Sequence, residues 1–276
     1  MATRWVFLWP GILLTPVTQF SELSSIPDTM PLCFSRQLWK ALVCSLVALS
    51  LQACSNLSPY KTSTASAEAN SWLPEDQLKW EVVKIPGKAA TQYALASLNN
   101  RSTLMANATS SASMLRKDLR IEPAQLNRLN FSWQVHKLMD AADMSHRDHD
   151  DSPVRLVLAF DGDRSLFSPK NAMLSELSHA LTGRPMPYAT LMYVWCNHRP
   201  VGTVIHNPRT DRIRKLVVAS GPDQLNQWLT YDRDVRADYE KAFGESPGAL
   251  IGIGLMTDSD NTRSHAQAWY GPISLH

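Results

Sequence analysis

The sequence predicts an all-β fold, a β-sandwich of jelly-roll type with one or two short helices, on three observations. Short segments rich in Val, Ile, Leu and aromatic residues recur from Trp80 to the C-terminus, and Pro, Gly, Asn and Asp punctuate them. Several segments alternate apolar and polar residues with period two, the pattern of antiparallel strands buried on one face. No internal repeat of the ~20–50 residues that would indicate a solenoid or propeller is visible.

Strands are expected at Trp80–Ile85, Gln92–Leu98, Ser102–Thr109, Phe131–Leu138, Val154–Phe160 and Leu191–Trp195. Further strands are expected at Thr203–His206, Arg214–Ala219, Trp228–Tyr231, Leu250–Met256 and Ala266–Leu275. In Phe131-Ser132-Trp133-Gln134-Val135 the odd positions are apolar and the even ones polar. Lys170–Leu181 reads as a helix that stops at Gly183, glycine being the residue that accepts the left-handed conformation after a last turn. Asp234–Phe243 reads as a second helix, with acidic residues in its first turn, where the helix dipole favours them, and Gly244 as its stop. Many strands with two short helices fit a two-layer β architecture.

Upstream, Arg36 and Lys40 precede the apolar run Ala41–Ser50, and Leu51-Gln52-Ala53-Cys54 follows. Charged region, apolar region and small-residue cleavage site stand in the order of a secretory signal. The run is shorter than the about 20 apolar residues a bilayer span needs. Its cysteine makes the stretch resemble a bacterial lipoprotein signal, in which Cys54 is acylated and becomes the new N-terminus, although Gln52 departs from the usual small residue. Residues 1–53 are therefore expected to be a signal peptide with its true start near Met30, residues 54–71 a flexible tether, and residues 72–276 the β-sandwich domain. The resemblance implies a protein anchored by palmitate-type chains to membrane lipid. It places the protein on the periplasmic face of the outer membrane, since Ser55 stands where aspartate would favour inner-membrane retention. Each acyl chain contributes about 0.8 kcal/mol per buried methylene, so several hold a protein without a transmembrane helix.

The chain carries 27 Lys and Arg against 25 Asp and Glu, a formal charge of +2. Nothing in that balance asks for nucleic acid. Of four cysteines, Cys33 and Cys44 leave with the signal and Cys54 takes lipid, so Cys196 alone remains and no internal disulfide is expected.

The series Phe131-Ser132-Trp133, Asp150-Asp151-Ser152-Pro153-Val154-Arg155, Tyr193-Val194-Trp195, Asp232-Arg233-Asp234-Val235-Arg236, Thr257-Asp258-Ser259-Asp260-Asn261-Thr262 and Tyr270-Gly271-Pro272-Ile273 resembles the bacterial domain-of-unknown-function family 3047. The resemblance covers Trp80 to the C-terminus. It implies a secreted or periplasmic β-sandwich similar in outline to carbohydrate-binding modules, and it carries over no activity, ligand or catalytic set.

Chemistry-bearing candidates concentrate between Asp140 and Asp163, where seven aspartates (140, 143, 148, 150, 151, 161 and 163) face Arg147 and Arg155. Asp148, Asp150 and Asp151, together with Asp258 and Asp260 from a second oxygen-rich loop, are candidate ligands for Ca²⁺, a hard cation that takes carboxylate and carbonyl oxygens. Neither loop has the spacing of the helix-loop-helix calcium motif. The competing reading is a solvated loop, since aspartate favours turns by bonding its own backbone. His146 and His149 fall short of the three protein ligands of a catalytic zinc. Cys196 and His198 share a strand face about 6.6 Å apart, and the thiol reads as buried and structural. No Gly-x-Ser-x-Gly elbow is present.

Arg155, Trp269 and Tyr270 are the candidate ligand-binding residues. Arg155 follows the acidic run and has Asp151 or a group outside the chain as its expected partner. Trp269 and Tyr270, as strand neighbours, face opposite sides, so one of them is expected to look outward as a platform for a sugar. Three functions follow. The favoured one is a non-enzymatic lipoprotein module that binds a ligand, such as a glycan, along one face or edge of the sandwich. The second is a metal-dependent hydrolase built on the Asp150/Asp151 and Asp258/Asp260 loops. The third is a structural lipoprotein that contacts other envelope proteins.

Overall fold

The computed structural model describes residues 70–276. The expected signal peptide, Cys54 and all but the last two residues of the expected tether lie outside the described residues. Period-two alternation builds thirteen strands in chain order: β1 (Asn70–Trp72), β2 (Glu81–Lys84), β3 (Gln92–Leu98), β4 (Arg101–Thr109), β5 (Ala112–Ile121), β6 (Arg128–Val135) and β7 (Ser152–Phe160). After these come β8 (Ala189–Cys196), β9 (Val204–His206), β10 (Ile213–Ser220), β11 (Leu229–Asp234), β12 (Leu250–Asp258) and β13 (His265–Leu275). Three helices interrupt them: α1 (Pro74–Gln77), α2 (Pro169–Thr182) and α3 (Val235–Phe243).

One sheet has the order β11-β6-β13-β4-β3 with β1 also paired to β13, and the other has the order β2-β5-β12-β7-β8-β10-β9. The chain passes back and forth between the sheets, changing sheet at β1–β2, β2–β3, β4–β5, β5–β6, β6–β7, β10–β11, β11–β12 and β12–β13. The antiparallel pair β4/β13 of one sheet therefore continues as β5/β12 of the other, the wrapping that makes a jelly roll.

Two kinds of feature depart from the sequence expectation. β1, α1 and β5 fall where no strand or helix was expected, β1 taking in the last two residues of the expected tether, and β10 runs parallel to β8. The second departure follows from β9: this short strand turns back and pairs antiparallel with β10 on the sheet's edge, so β10 comes to β8 by a crossover and not a hairpin.

Between the sheets, Leu129, Phe131, Trp133 and Val135 of β6 meet Leu156, Leu158 and Phe160 of β7 and Leu191, Tyr193 and Trp195 of β8, all buried. Phe131 stacks on Tyr193 with ring centroids 5.5 Å apart. Burying a side chain of this size contributes about 1.5–3 kcal/mol. α3 closes one end, with Asp234 accepting from the Ala237 N–H as its cap and Gly244 stopping it at φ 73°. Its Tyr239 meets Phe160 edge-on at 4.7 Å. Cys196 is buried and unbonded to another cysteine. Among the described residues no helix is long and apolar enough to cross a membrane.

Candidate functional site

The acidic segment is pinned to the sandwich at Met139, Ala142, Met144 and Asp151, while Asp140 and residues 146–149 are exposed. Met139 and Ala142 pack against Ala108 and Ala266, and Met144 packs on Val194, Cys196, Ile205 and Val217. Asn197 ties the segment down by donating through Nδ2 to the carbonyls of Met139 (2.7 Å) and Ala142 (3.1 Å). Three apolar side chains that the aspartates mask in the sequence hold this loop against the sandwich.

Beneath it, alternation along β7 sends Arg155 to the face opposite Leu156 and Leu158, where it is wholly buried. Its Nε donates to Asp258 Oδ1 at 2.9 Å and its Nη2 to Asp258 Oδ2 at 2.8 Å. The same Nη2 reaches the Asp150 carbonyl at 2.8 Å and Oδ1 at 3.1 Å. Lys215 of β10, also fully buried, donates to both Asp150 oxygens (2.7 and 2.6 Å) and to the Met144 carbonyl (2.8 Å).

Burial works against the Asp150 charge, but Arg155 and Lys215 outweigh it and hold the carboxyl below its ordinary range. Burial lowers the Lys215 ammonium to about 8, with Arg155 pushing the same way and Asp150 opposing. Burial raises the Asp258 carboxyl to about 6 even against the Arg155 guanidinium. Arg155 thus has Asp150 and Asp258 as its partners within the chain, where sequence analysis had offered Asp151.

Of the predicted cation ligands, the structure brings three together. Single oxygens of Asp151, Asp258 and Asp260 all lie within 4.8 Å of one another. These are the groups that could hold a hard cation, yet each already has donors. Asp151 accepts from the Asn261 N–H (3.2 Å) and Nδ2 (3.0 Å) and from the Thr262 N–H (2.7 Å) and Oγ1 (2.6 Å). Asp258 accepts from Arg155 and from the Ser152 N–H (3.0 Å), and Asp260 is paired with Lys88. Asp148 is exposed and stands outside this trio. His146 bonds Asp143 through Nδ1 at 2.9 Å.

Trp269 and Tyr270 do face opposite sides, but both are buried, so the outward platform expected there is corrected. Tyr270 turns into the core and its hydroxyl sits 2.8 Å from both Thr257 Oγ1 and the Met256 carbonyl. Trp269 turns the other way, where the His136 ring meets it edge-on at 4.4 Å.

An aromatic surface group is found instead at Trp228, which sequence analysis counted as the start of a strand. A groove of about 500 Å³ lies beside α1. Arg101, Ser102, Ser132 and Gly271, from three adjacent strands, line it with Glu75 and Trp228. Arg101 places its guanidinium 5.6 Å from the centroid of the half-buried Trp228 indole. The Ser102 hydroxyl donates to the Glu75 carboxylate, and the buried Trp228 Nε1 has no hydrogen-bond partner. Glycine at 271 leaves room for Ser132: a Cβ there would lie 2.2 Å from Ser132 Oγ, which would have to move, and 3.5 Å from Trp228 Cζ3. The groove is marked in the sequence only by Gly271-Pro272, which follow Trp269-Tyr270 inside β13, a signal with no chemistry of its own.

Fold and crossing order define a jelly-roll β-sandwich protein. The model of the family described as "Protein of unknown function (DUF3047)" matches residues 78–274, and the chain belongs to that family. No curated protein matches it.

Among solved structures it is similar to the glycoside hydrolase domain of Endo-D from Streptococcus pneumoniae R6, with 9% identity and a TM-score of 0.32 over 71% of this chain and 21% of that one. The chain thus spans about a fifth of that protein. It is also similar to Trichoderma harzianum endoglucanase 3 (8% identity, TM-score 0.36, 77% of this chain and 99% of that one). A low-affinity xylan-binding module from Roseburia intestinalis gives 10% identity and a TM-score of 0.27 over 75% of this chain and 94% of that one. Likenesses this distant carry no function across.

Proposed function

We propose that this chain is a lipoprotein acylated at Cys54 and held on the periplasmic face of the outer membrane, whose β-sandwich binds a glycan in the Trp228 groove. The anchor reading rests on the order of Arg36 and Lys40, the apolar run and Leu51-Gln52-Ala53-Cys54. The binding reading rests on one observation: a half-buried indole shares its groove with two serine hydroxyls, a carboxylate and a guanidinium. A sugar ring presents a face of C–H groups rimmed by hydroxyls. The indole suits the face, and donors and acceptors of fixed geometry suit the rim.

Binding without hydrolysis is favoured by the count of carboxylates. Glycoside hydrolysis uses two, about 5–9 Å apart across the scissile bond. Among the described residues lining the groove Glu75 is the one carboxylate, and it accepts from Ser102. The acidic loops serve a metal-dependent hydrolase poorly, because Arg155, Lys88, Asn261 and Thr262 occupy their oxygens.

The test is intrinsic fluorescence of the protein titrated with a panel of soluble neutral and acidic oligosaccharides. At least one is expected to give a saturable change that Trp228→Ala abolishes. A panel without any response, or a response that persists in Trp228→Ala, would contradict the reading.

A further inference from the structure

We infer that the outward face of α2 rests on the bilayer surface to which Cys54 ties the chain. This helix is built the wrong way round for a surface helix of a water-soluble domain, which buries its apolar stripe. Here the polar side is turned in. Asn171 and Ser175 are buried, Asn171 Nδ2 donates to Asp211 at 2.5 Å, and Thr210 Oγ1 donates to Asn171 Oδ1 at 2.7 Å. Those hydrogen bonds fix the roll of the helix. Met173, Leu177 and Leu181, four residues apart and so on one face, consequently point away from the protein at 63, 51 and 59% exposure. Leu166, in the turn that leads into the helix, is 72% exposed.

A lipid surface is the occupant that fits where this face lies. Arg184, just after α2, donates to Glu81 Oε2 (2.7 Å) and Asp118 Oδ2 (2.6 Å). Glu81 and Asp118 line a groove with Ser71 and Trp72, where the chain enters the described domain. The stripe therefore ends beside the point from which the chain runs back to Cys54. Asn70 stands sixteen positions after Cys54, and the stretch between them, fully extended, reaches at most about 58 Å. An acylated Cys54 would keep the domain within that distance of the bilayer, so even a weak interfacial contact becomes intramolecular. Exposed Arg164 and Lys170 beside the stripe suit phosphate headgroups, with Asp161 and Asp163 next to Arg164 and Glu176 on the helix as the nearby carboxylates. Apolar side chains at the level of the headgroups, with cations beside them, are the arrangement of a helix lying in the interface.

The inference rests on the lipid-anchor reading, so the test reads the two separately. The full chain is produced in bacteria and reconstituted in vesicles of phosphatidylethanolamine and phosphatidylglycerol. Mass spectrometry of the Cys54 peptide reads the anchor. An environment-sensitive fluorophore on Leu177→Cys reads docking, with the same fluorophore on Leu95→Cys, exposed on β3 of the other sheet, as reference. The expected result is an acylated chain whose emission at 177 is blue-shifted and quenched by brominated lipid while that at 95 stays water-like. Adding Met173→Glu should reduce the quenching severalfold without releasing the chain. Equal, water-like emission at both positions in an acylated chain overturns the docking and leaves the anchor standing. A blue shift at 177 that appears without vesicles and grows with protein concentration assigns the face to a second copy and overturns the lipid assignment. A Cys54 peptide without acyl mass overturns the anchor and this inference with it.

Discussion

Arg155 and Asp258 face each other from adjacent strands through two hydrogen bonds of 2.9 and 2.8 Å, with both side chains 4% exposed. A pair this deeply buried resists the loss of one member more than the loss of both, because a lone charge is left without solvent. Asp258→Ala should therefore lower stability by about 3–5 kcal/mol, and the double variant Arg155→Met/Asp258→Leu should regain a large part of that. Urea denaturation of the three proteins checks this; a loss below about 1 kcal/mol in the single variant would show that the pair is dispensable.

The same carboxyl sets a pH dependence of unusual sign. Burial raises Asp258 from 3.8 to about 6 in the folded protein, so the folded state holds this proton more tightly than the unfolded one. Its contribution to stability is full below the unfolded value and declines as pH rises from about 4 through about 6. The stability difference between wild type and Asp258→Asn should accordingly shrink across that window and level off above it. A difference that instead grows with pH would mean that Arg155 outweighs burial.

Gly271 controls the groove by steric exclusion. In Gly271→Ala the new methyl occupies the space of Ser132 Oγ, so Ser132 must turn away or the strand must shift. Overpacking of this kind costs about 1–3 kcal/mol. Oligosaccharide affinity should fall while the fold persists, as read by calorimetric titration beside a thermal melt. Unchanged affinity would place the ligand elsewhere.

Calcium should leave the melting temperature unmoved. The oxygens of Asp151, Asp258 and Asp260 converge, but a cation must displace Arg155 and Lys88 to collect them. Thermal shift with excess Ca²⁺ and then with EDTA checks this, since a ligand of the folded state alone raises stability with its concentration. A saturable rise with Ca²⁺ that EDTA reverses would make the loops a metal site.

Legibility in the sequence followed the alternation. β3 was expected at Gln92–Leu98 and β12 from Leu250, where each was found, because their apolar residues repeat without interruption. β5 escaped because Lys117 breaks its inward series of Leu115, Leu119 and Ile121. Oxygen content marked the Asp151 and Asp258 loops as candidates, but whether they meet depends on strand pairing that the sequence does not display. Lys215 was missed, since a lysine inside a strand gives no local hint that a loop from Met139 to Asp150 covers it. The Trp228 groove was missed for a related reason: its lining comes from residues as distant as Glu75 and Gly271, which only the pairing of β6, β13 and β4 and the seating of α1 against β4 bring together.

The central claim is that ligand enters at Trp228, and the indole N–H signals of the domain test it most directly. In ¹⁵N-edited NMR spectra, an oligosaccharide that binds should shift the Trp228 signal, whose N–H has no partner within the protein, and leave the buried Trp133 and Trp195 signals in place. A binding oligosaccharide that leaves Trp228 unmoved would contradict the account.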